Sequence, residues 1–258
     1  MSAKLPRILI AVPAKDAVRH LDSHFALLDR LRYPRSRITL AYLEGDSQDG
    51  TFDALRLRVD AIKRRYRRCM VLRKNMGFQL PPGLPRWSEQ FQLVRRAVLA
   101  RSRNHLLFHA LSDEDWVMWL DIDVIDAPAD LIPTLLATGK DIVHPHCVLA
   151  LGGPSFDRNA WRDNGSLLME NLRGQGPLVR LHAVGGTVLM IRADIHRDGL
   201  VFPPFLYGGN HAFARDPGPW AAIGQRGEIE TEGLGLMAYD MGYLCWGMPD
   251  LEVIHASM

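Results

Sequence analysis

The stretch Trp116-Val117-Met118-Trp119-Leu120-Asp121-Ile122-Asp123 decides how the chain is read. Residues 117–120 form a continuous apolar run, the pattern of a strand buried on both faces of a parallel sheet. The run stops at two carboxylates, Asp121 and Asp123. Neither can lie unpaired against a hydrophobic sheet, because burying an uncompensated charge is costly. They are therefore expected where the strand emerges, facing water, a cation or a metal. Ligands of open α/β sheets bind outside the carboxyl ends of the strands. Paired hard oxygen donors at such an end suit Mg²⁺ or Mn²⁺ that also holds substrate phosphates. An acidic surface loop, continued by Asp126 and Asp130, is the competing reading of the same residues.

Outward from this strand, the pattern alternates. Residues 8–12 read as a first strand closed by Pro13, and residues 17–31 as a helix with Leu21, Phe25 and Leu28 on one face. Residues 38–43 give a second strand running into the turn-rich loop 44–50, after which Thr51 can cap a helix carrying Leu55, Val59 and Ile62. Residues 70–72 give a third strand. This order implies right-handed crossovers and an α/β fold: an open, mostly parallel, Rossmann-like sheet with helices on both faces. Asp16, Glu44 and Asp46 follow the first two strands and so face the same crevice, where they could meet ribose hydroxyls or a base edge. Helix capping and turn formation are the alternative roles.

Residues 80–87 (L-P-P-G-L-P-R-W) cannot be regular structure and are expected as a loop over the site. Helix resumes at 88–111, bringing Arg96 and Arg103 to one face. Guanidinium groups grip a diphosphate through planar, charge-assisted bonds, although an exposed basic face would give the same spacing. An exposed face is also the reading of Lys63, Arg64, Arg65, Arg67 and Arg68. Beyond Asp123 come a short helix (130–137) and an apolar strand (142–149), whose His144 and His146 lack a second pair at zinc-like spacing. Residues 152–177 read as a polar surface excursion, and 188–191 as a strand entered through Gly185-Gly186. Residues 202–227, dense in Gly, Pro and aromatics, read as a long loop whose exposed rings could seat a sugar. A helix (228–241) and strand-like runs at 243–246 and 251–255 close the pattern.

Composition narrows the class. An apolar share of 47% over 258 residues supports a sizeable core, and a net charge of +2 argues against a chain that coats nucleic acid. Cys69, Cys147 and Cys245 are too dispersed for a disulfide framework or a zinc site. Residues 1–7 carry Lys4 and Arg7 but no long apolar stretch. A cytoplasmic location is expected, with membrane contact at most peripheral.

Taken in order, V-P-A-K-D (12–16), E-G-D-S-Q-D-G-T (44–51), R-S-R-N (101–104), W-L-D-I-D (119–123), G-G-T-V-L (185–189), I-E-T-E-G-L-G-L-M-A (229–238) and V-I-H-A (253–256) resemble glycosyltransferase family sixty-two. That family has the GT-A fold, and its known members are the fungal mannan-polymerase α-mannosyltransferase subunits. The resemblance spans nearly the whole chain, implying one GT-A domain over 1–258. It implies a retaining mannosyltransferase using GDP-mannose and Mn²⁺ (or Mg²⁺), with a saccharide or glycoconjugate acceptor. Carried over, Asp121, Asp123 and His255 hold the metal. Arg103, Asn104 and Asp121 fall at the donor and Glu232 near the transferred sugar; Pro13, Asp16, Glu44 and Asp46 stand beside them as donor-binding candidates, and Asp123 beside Glu232 as a catalytic one. A sugar-nucleotide pyrophosphorylase would want a Gly-rich basic loop after the first strand, which Pro13-Ala14-Lys15-Asp16 is not. A non-catalytic nucleotide-sugar or glycan-binding subunit is the remaining alternative.

Overall fold

The computed structural model describes residues 5–85 and 88–257. Of the stretches singled out above, residues 1–4 (with Lys4) and the Arg86-Trp87 end of the 80–87 loop lie outside the described residues.

Alternating apolar segments form the elements in the expected order. Strand β1 (Ile8–Ala14) leads through a 3-10 turn to helix α1 (Leu21–Arg30), then β2 (Ile38–Glu44), α2 (Thr51–Ile62), β3 (Arg68–Arg73) and α3 (Glu89–Ala110). The central strand is β4 (Trp116–Leu120), followed by β5 (Val124–Asp126), α4 (Leu131–Ala137) and β6 (Ile142–Val148). Short strands β7 (Trp161–Arg162), β8 (Leu167–Leu168) and β9 (Val179–Leu181) precede β10 (Val188–Arg192), α5 (Ala193–Arg197), α6 (Glu230–Asp240) and β11 (Cys245–His255). Thr51 does not cap α2. Gly50, in the left-handed region, holds that position, and the Thr51 hydroxyl instead bonds Asp49 and accepts the Ala17 N–H.

Among the described residues nine strands make one sheet, in the order β3-β2-β1-β4-β10-β6-β11-β5 with β9 on β11. β3, β2, β1 and β4 run parallel, as do β6 and β11. β10 runs antiparallel between β4 and β6, which a run of apolar residues could not reveal. One core packs α1, α2 and α4 onto Ile10, Tyr42 and Met118; the other packs α3, α5 and α6 onto Leu9, Val117 and Trp119. Neighbouring strand residues thus serve opposite layers, as the period of two requires. The sheet is mixed but mostly parallel, with helices on both faces.

Three stretches differ from expectation. The 152–177 segment is no mere surface excursion: Asp157, Trp161, Met169 and Leu172 are buried. In 202–227, Phe202 sits edge-on to Trp119 and Trp220 is buried, so part of this loop is core, although Phe205 is 60% exposed. The two closing runs are one strand, β11, irregular between Met248 and Glu252. The basic run at 63–68 lies on a largely exposed face, as expected, and is ion-paired there. Arg67 and Arg68 meet the buried Glu114 at 3.1 Å each, and Lys63 and Arg65 meet Asp60 and Asp29. Cys69, Cys147 and Cys245 are free thiols. No helix among the described residues is long and apolar enough to cross a membrane.

Candidate active site

β1 pairs with β2 on one side and β4 on the other, so the chain's winding reverses between β1 and β4. Adjacent crossovers leave the sheet to opposite sides there, which opens a crevice beyond the carboxyl ends. A cleft of about 480 Å³ occupies this place, lined by the 13–16 turn, Asp46, Met76, Phe78, Arg95, Arg103, Asp121 and Asp123.

Its floor is the end of β4. The Asp121 N–H bonds Thr187 O at 2.9 Å, and its carboxylate accepts from Arg103 Nη2 at 3.1 Å. Burial pushes the Asp121 carboxyl up to about 6; Arg103 opposes this and the charge of Asp123 adds to it. Asp123 meets the His255 imidazole, Nε2 to Oδ1 at 3.0 Å. Burial works to lower the His255 pKa, but the bond to Asp123 and its charge outweigh it and hold the ring above its usual value. His255 Nδ1 lies 2.7 Å from Ala256 O, and Phe156 stacks on the ring at 3.8 Å. With Nδ1 donating to that carbonyl, Nε2 is the atom left to ligate.

Two carboxylates and an imidazole are a donor set that suits Mn²⁺. Among the described residues no three such side chains are already gathered at ligating positions. Asp121 is engaged with Arg103 and Asp123 with His255, so a cation here would exchange those bonds for its own. The crowded, raised carboxyl of Asp121 is the charge such an ion would compensate.

The turn opposite Asp121 is built by a residue that no motif singles out. Buried Asp157 accepts from Gly186 N at 3.0 Å, Thr187 N at 3.2 Å and Thr187 Oγ1 at 3.0 Å. Burial works against its charge, yet the nearby His144 ring and the bonds from the backbone hold the carboxyl well below the usual range. A Cβ on Gly185 would lie 2.0 Å from Asp157 Oδ2, and one on Gly186 2.3 Å from Arg103 Nη2. Those two glycines mark a close approach of the turn to side chains of the site. His144, 3.6 Å from Asp157, and His146, bonded to Ser155, support this wall and do not line the cleft.

The donor candidates divide. Pro13, Asp16, Asp46, Arg103, Asp121 and Asp123 line the cleft. Asp16 and Asp46 take positive φ (48° and 61°), and each uses its carboxylate on backbone. Asp16 accepts from Gln48 N, and Asp46 from the N–H groups of Met76, Gly77 and Phe78. Lys15 Nζ donates to Phe78 O and Gln79 Oε1, so residues 75–79 are tied down as the cleft wall.

Three expected residues do not reach it. Glu44 is fully buried, accepting from Ser47 N and paired with Arg73 at 3.2 Å. Asn104 bonds Phe202 through both backbone groups and anchors the 202–227 loop. Glu232 is enclosed, accepting from Trp161 Nε1 at 3.0 Å and paired with Arg96 and, at 2.8 Å, Arg215. Within E-T-E-G, the acid joined to a cleft residue is Glu230, whose Oε1 takes the Arg103 Nε–H at 2.9 Å.

The sheet order and the aspartate-ended strand at its winding reversal define a GT-A glycosyltransferase fold. Solved structures agree. The mannosyltransferase PcManGT from Pyrobaculum calidifontis matches with a TM-score of 0.59 at 16% identity, over 98% of this chain and 58% of that one. GalNAc-T7 matches with a TM-score of 0.55 at 13% identity, over 99% and 45%. At such identities the likeness carries the fold alone.

The chain belongs to the Anp1 family, whose model matches residues 2–173. It is 26% identical to the mannan polymerase II complex anp1 subunit of Schizosaccharomyces pombe, over 96% of this chain and 64% of that protein's length. It is also 26% identical to the mannan polymerase complex subunit MNN9 of Candida albicans, over 98% and 75%.

Proposed function

We propose that this chain is a retaining glycosyltransferase that moves mannose from GDP-mannose to a saccharide or glycoconjugate, dependent on Mn²⁺ or Mg²⁺. The observation that carries the reading is the cleft at the winding reversal, floored by Asp121 and Asp123 with His255 at 3.0 Å. The relatives named as mannan polymerase subunits, and PcManGT, whose solved complex holds GDP-Man and Mn²⁺, support the choice of sugar, base and metal.

Asp121, Asp123 and His255 would hold the metal, which supplies charge neutralisation on the departing diphosphate. Arg103, buried and fixed, donates to the same diphosphate as charge develops there. The walls around Pro13, Asp16 and Asp46 receive the nucleoside. The carboxylates lining the cleft are Asp16, Asp46, Asp121 and Asp123, and two of them are committed to the metal. None of the four is then left beside the sugar as a nucleophile, and attack on the face of the leaving group, with a phosphate oxygen as base, accounts for retention.

Incubating the protein with GDP-mannose and Mn²⁺ without acceptor tests this. Slow release of mannose and GDP is expected, and failing with GDP-mannose while succeeding with UDP-sugars would overturn the choice of base. A pyrophosphorylase would require pyrophosphate, and a binding subunit would release nothing.

A further inference from the structure

Glu230 lies off the cleft wall yet bonds directly to a residue that forms it. Its Oε1 accepts the Arg103 Nε–H at 2.9 Å, and its Oε2 accepts the Thr231 hydroxyl at 3.0 Å and lies 3.6 Å from Arg96 Nη2. Glu230, Thr231, Arg96 and Arg103 are all buried. Glu230 also has a φ of 60°, a left-handed conformation that a side chain disfavours and a glycine does not. The position therefore bears two costs, a desolvated carboxylate and a strained backbone. The packing of α6 asks for neither, since its apolar anchors Leu234 and Ala238 lie further along the helix. Strain held at one residue in this way points to what its side chain does.

We propose that Glu230 is a positioning residue for Arg103, holding the guanidinium in place when Asp121 gives it up. This rests on the reading of Arg103 as the diphosphate-binding group. In the structure Arg103 is held along one edge by two acids, Nε by Glu230 and Nη2 by Asp121 at 3.1 Å. A metal held by Asp121 would take the carboxylate that Nη2 now bonds. Arginine has a long, rotamer-rich stem, and a guanidinium with no remaining anchor would lose its aim. The Glu230 bond persists because neither partner is a metal ligand. Trp119 and Phe202, with ring centroids 5.8 and 5.5 Å from the Arg103 guanidinium carbon, limit its swing, and glycine at 186 leaves it room. Arg103 so held presents Nη2 to the donor, while Glu230 touches neither substrate nor metal.

The test is a double-mutant cycle read by calorimetric binding of Mn²⁺–GDP. Glu230→Gly, which also relieves the φ of 60°, should weaken binding about tenfold or more with the fold intact by circular dichroism. Glu230→Gln should cost only about threefold, because its amide oxygen can still accept the Nε–H. Glu230→Gly added to Arg103→Ala should cost nothing further, and Arg103→Lys serves as the second background should Arg103→Ala not fold. A full additional loss on both backgrounds, or no loss from Glu230→Gly alone, overturns the proposal. If Arg103→Ala and Arg103→Lys both leave Mn²⁺–GDP binding unchanged, the donor reading of Arg103 falls first and takes this proposal with it.

Discussion

His255 Nε2 lies 3.0 Å from Asp123 Oδ1, and the backbone fixes that meeting as firmly as the side chains do. β11 pairs antiparallel with β5, His255 stands opposite Val124, and the Ala256 N–H bonds Asp123 O at 2.8 Å. The imidazole is thus delivered by strand register. His255→Ala should weaken Mn²⁺ binding and raise the Mn²⁺ needed for half-maximal donor hydrolysis, leaving metal-free GDP binding unchanged. Equal metal affinity in the variant and the parent, measured by Mn²⁺ electron paramagnetic resonance, would remove His255 from the ligand set.

Asp123→Ala should abolish the Mn²⁺-dependent part of GDP binding while the protein stays folded, since Asp123 faces the cleft. In a thermal melt at about a hundred times the dissociation constant, the parent gains about 2.7 kcal/mol from Mn²⁺–GDP. The variant should gain no more from Mn²⁺–GDP than from GDP alone. Full stabilisation of Asp123→Ala would restore the reading of 121–130 as an acidic surface loop.

Glu232 is expected to matter for stability. Its removal would leave Arg96 and Arg215, both paired with it, short of compensating charge. Breaking a buried pair from one side costs about 3–5 kcal/mol. Urea unfolding of Glu232→Ala should show a loss of that order. An unchanged midpoint with lost turnover would instead return Glu232 to the reacting sugar.

Gly186→Ala should impair donor binding, because the new Cβ would meet Arg103 Nη2 at 2.3 Å and the guanidinium carbon at 2.9 Å. Arg103 must then move off the Asp121 side of the cleft. A rise of about tenfold in the GDP dissociation constant is expected, of the order of one charge-assisted bond. Unaltered affinity would mean that the turn has slack.

Acid should destabilise the fold through two histidines far in sequence from Asp121, Asp123 and His255. Burial pushes His24 and His196 down from 6.5 to about 4 each. A folded value below the unfolded one favours the neutral ring, so this stability is complete above about pH 6.5 and is lost as pH falls towards 4. Each ring is worth about 3 kcal/mol over that window. The His24→Gln/His196→Gln double variant should show a flatter urea midpoint between pH 6.5 and pH 4 than the parent; parallel curves would refute it.

Much of this is legible in the sequence. The buried strands announced themselves because residues with both faces covered must be apolar throughout, and Asp121 and Asp123 stood out against such a run. Asp157 did not: it sits in a polar stretch, and only its bonds to the 186–187 backbone give it a role. Glu230 and Glu232 share one motif but stand two residues apart in the first turn of α6, so their side chains leave the helix in different directions. Glu44 ends a strand as Asp121 does, yet Arg73 on the neighbouring β3 claims it. The direction of β10 was hidden as well, because parallel and antiparallel neighbours ask for the same apolar residues.

The sheet order also constrains when the site can come into being during folding. Asp121 follows β4, whereas His255 ends β11, which pairs with β6 in parallel register. His255 meets Asp123 only once β11 has also paired with β5, and both pairings of β11 join segments far apart in the chain. Such pairings form slowly, because chain entropy is lost before they return any energy. Helices can be recovered while these strands are still unmatched. In refolding, Mn²⁺ uptake should therefore trail the return of helical signal, making the ion a reporter of finished topology.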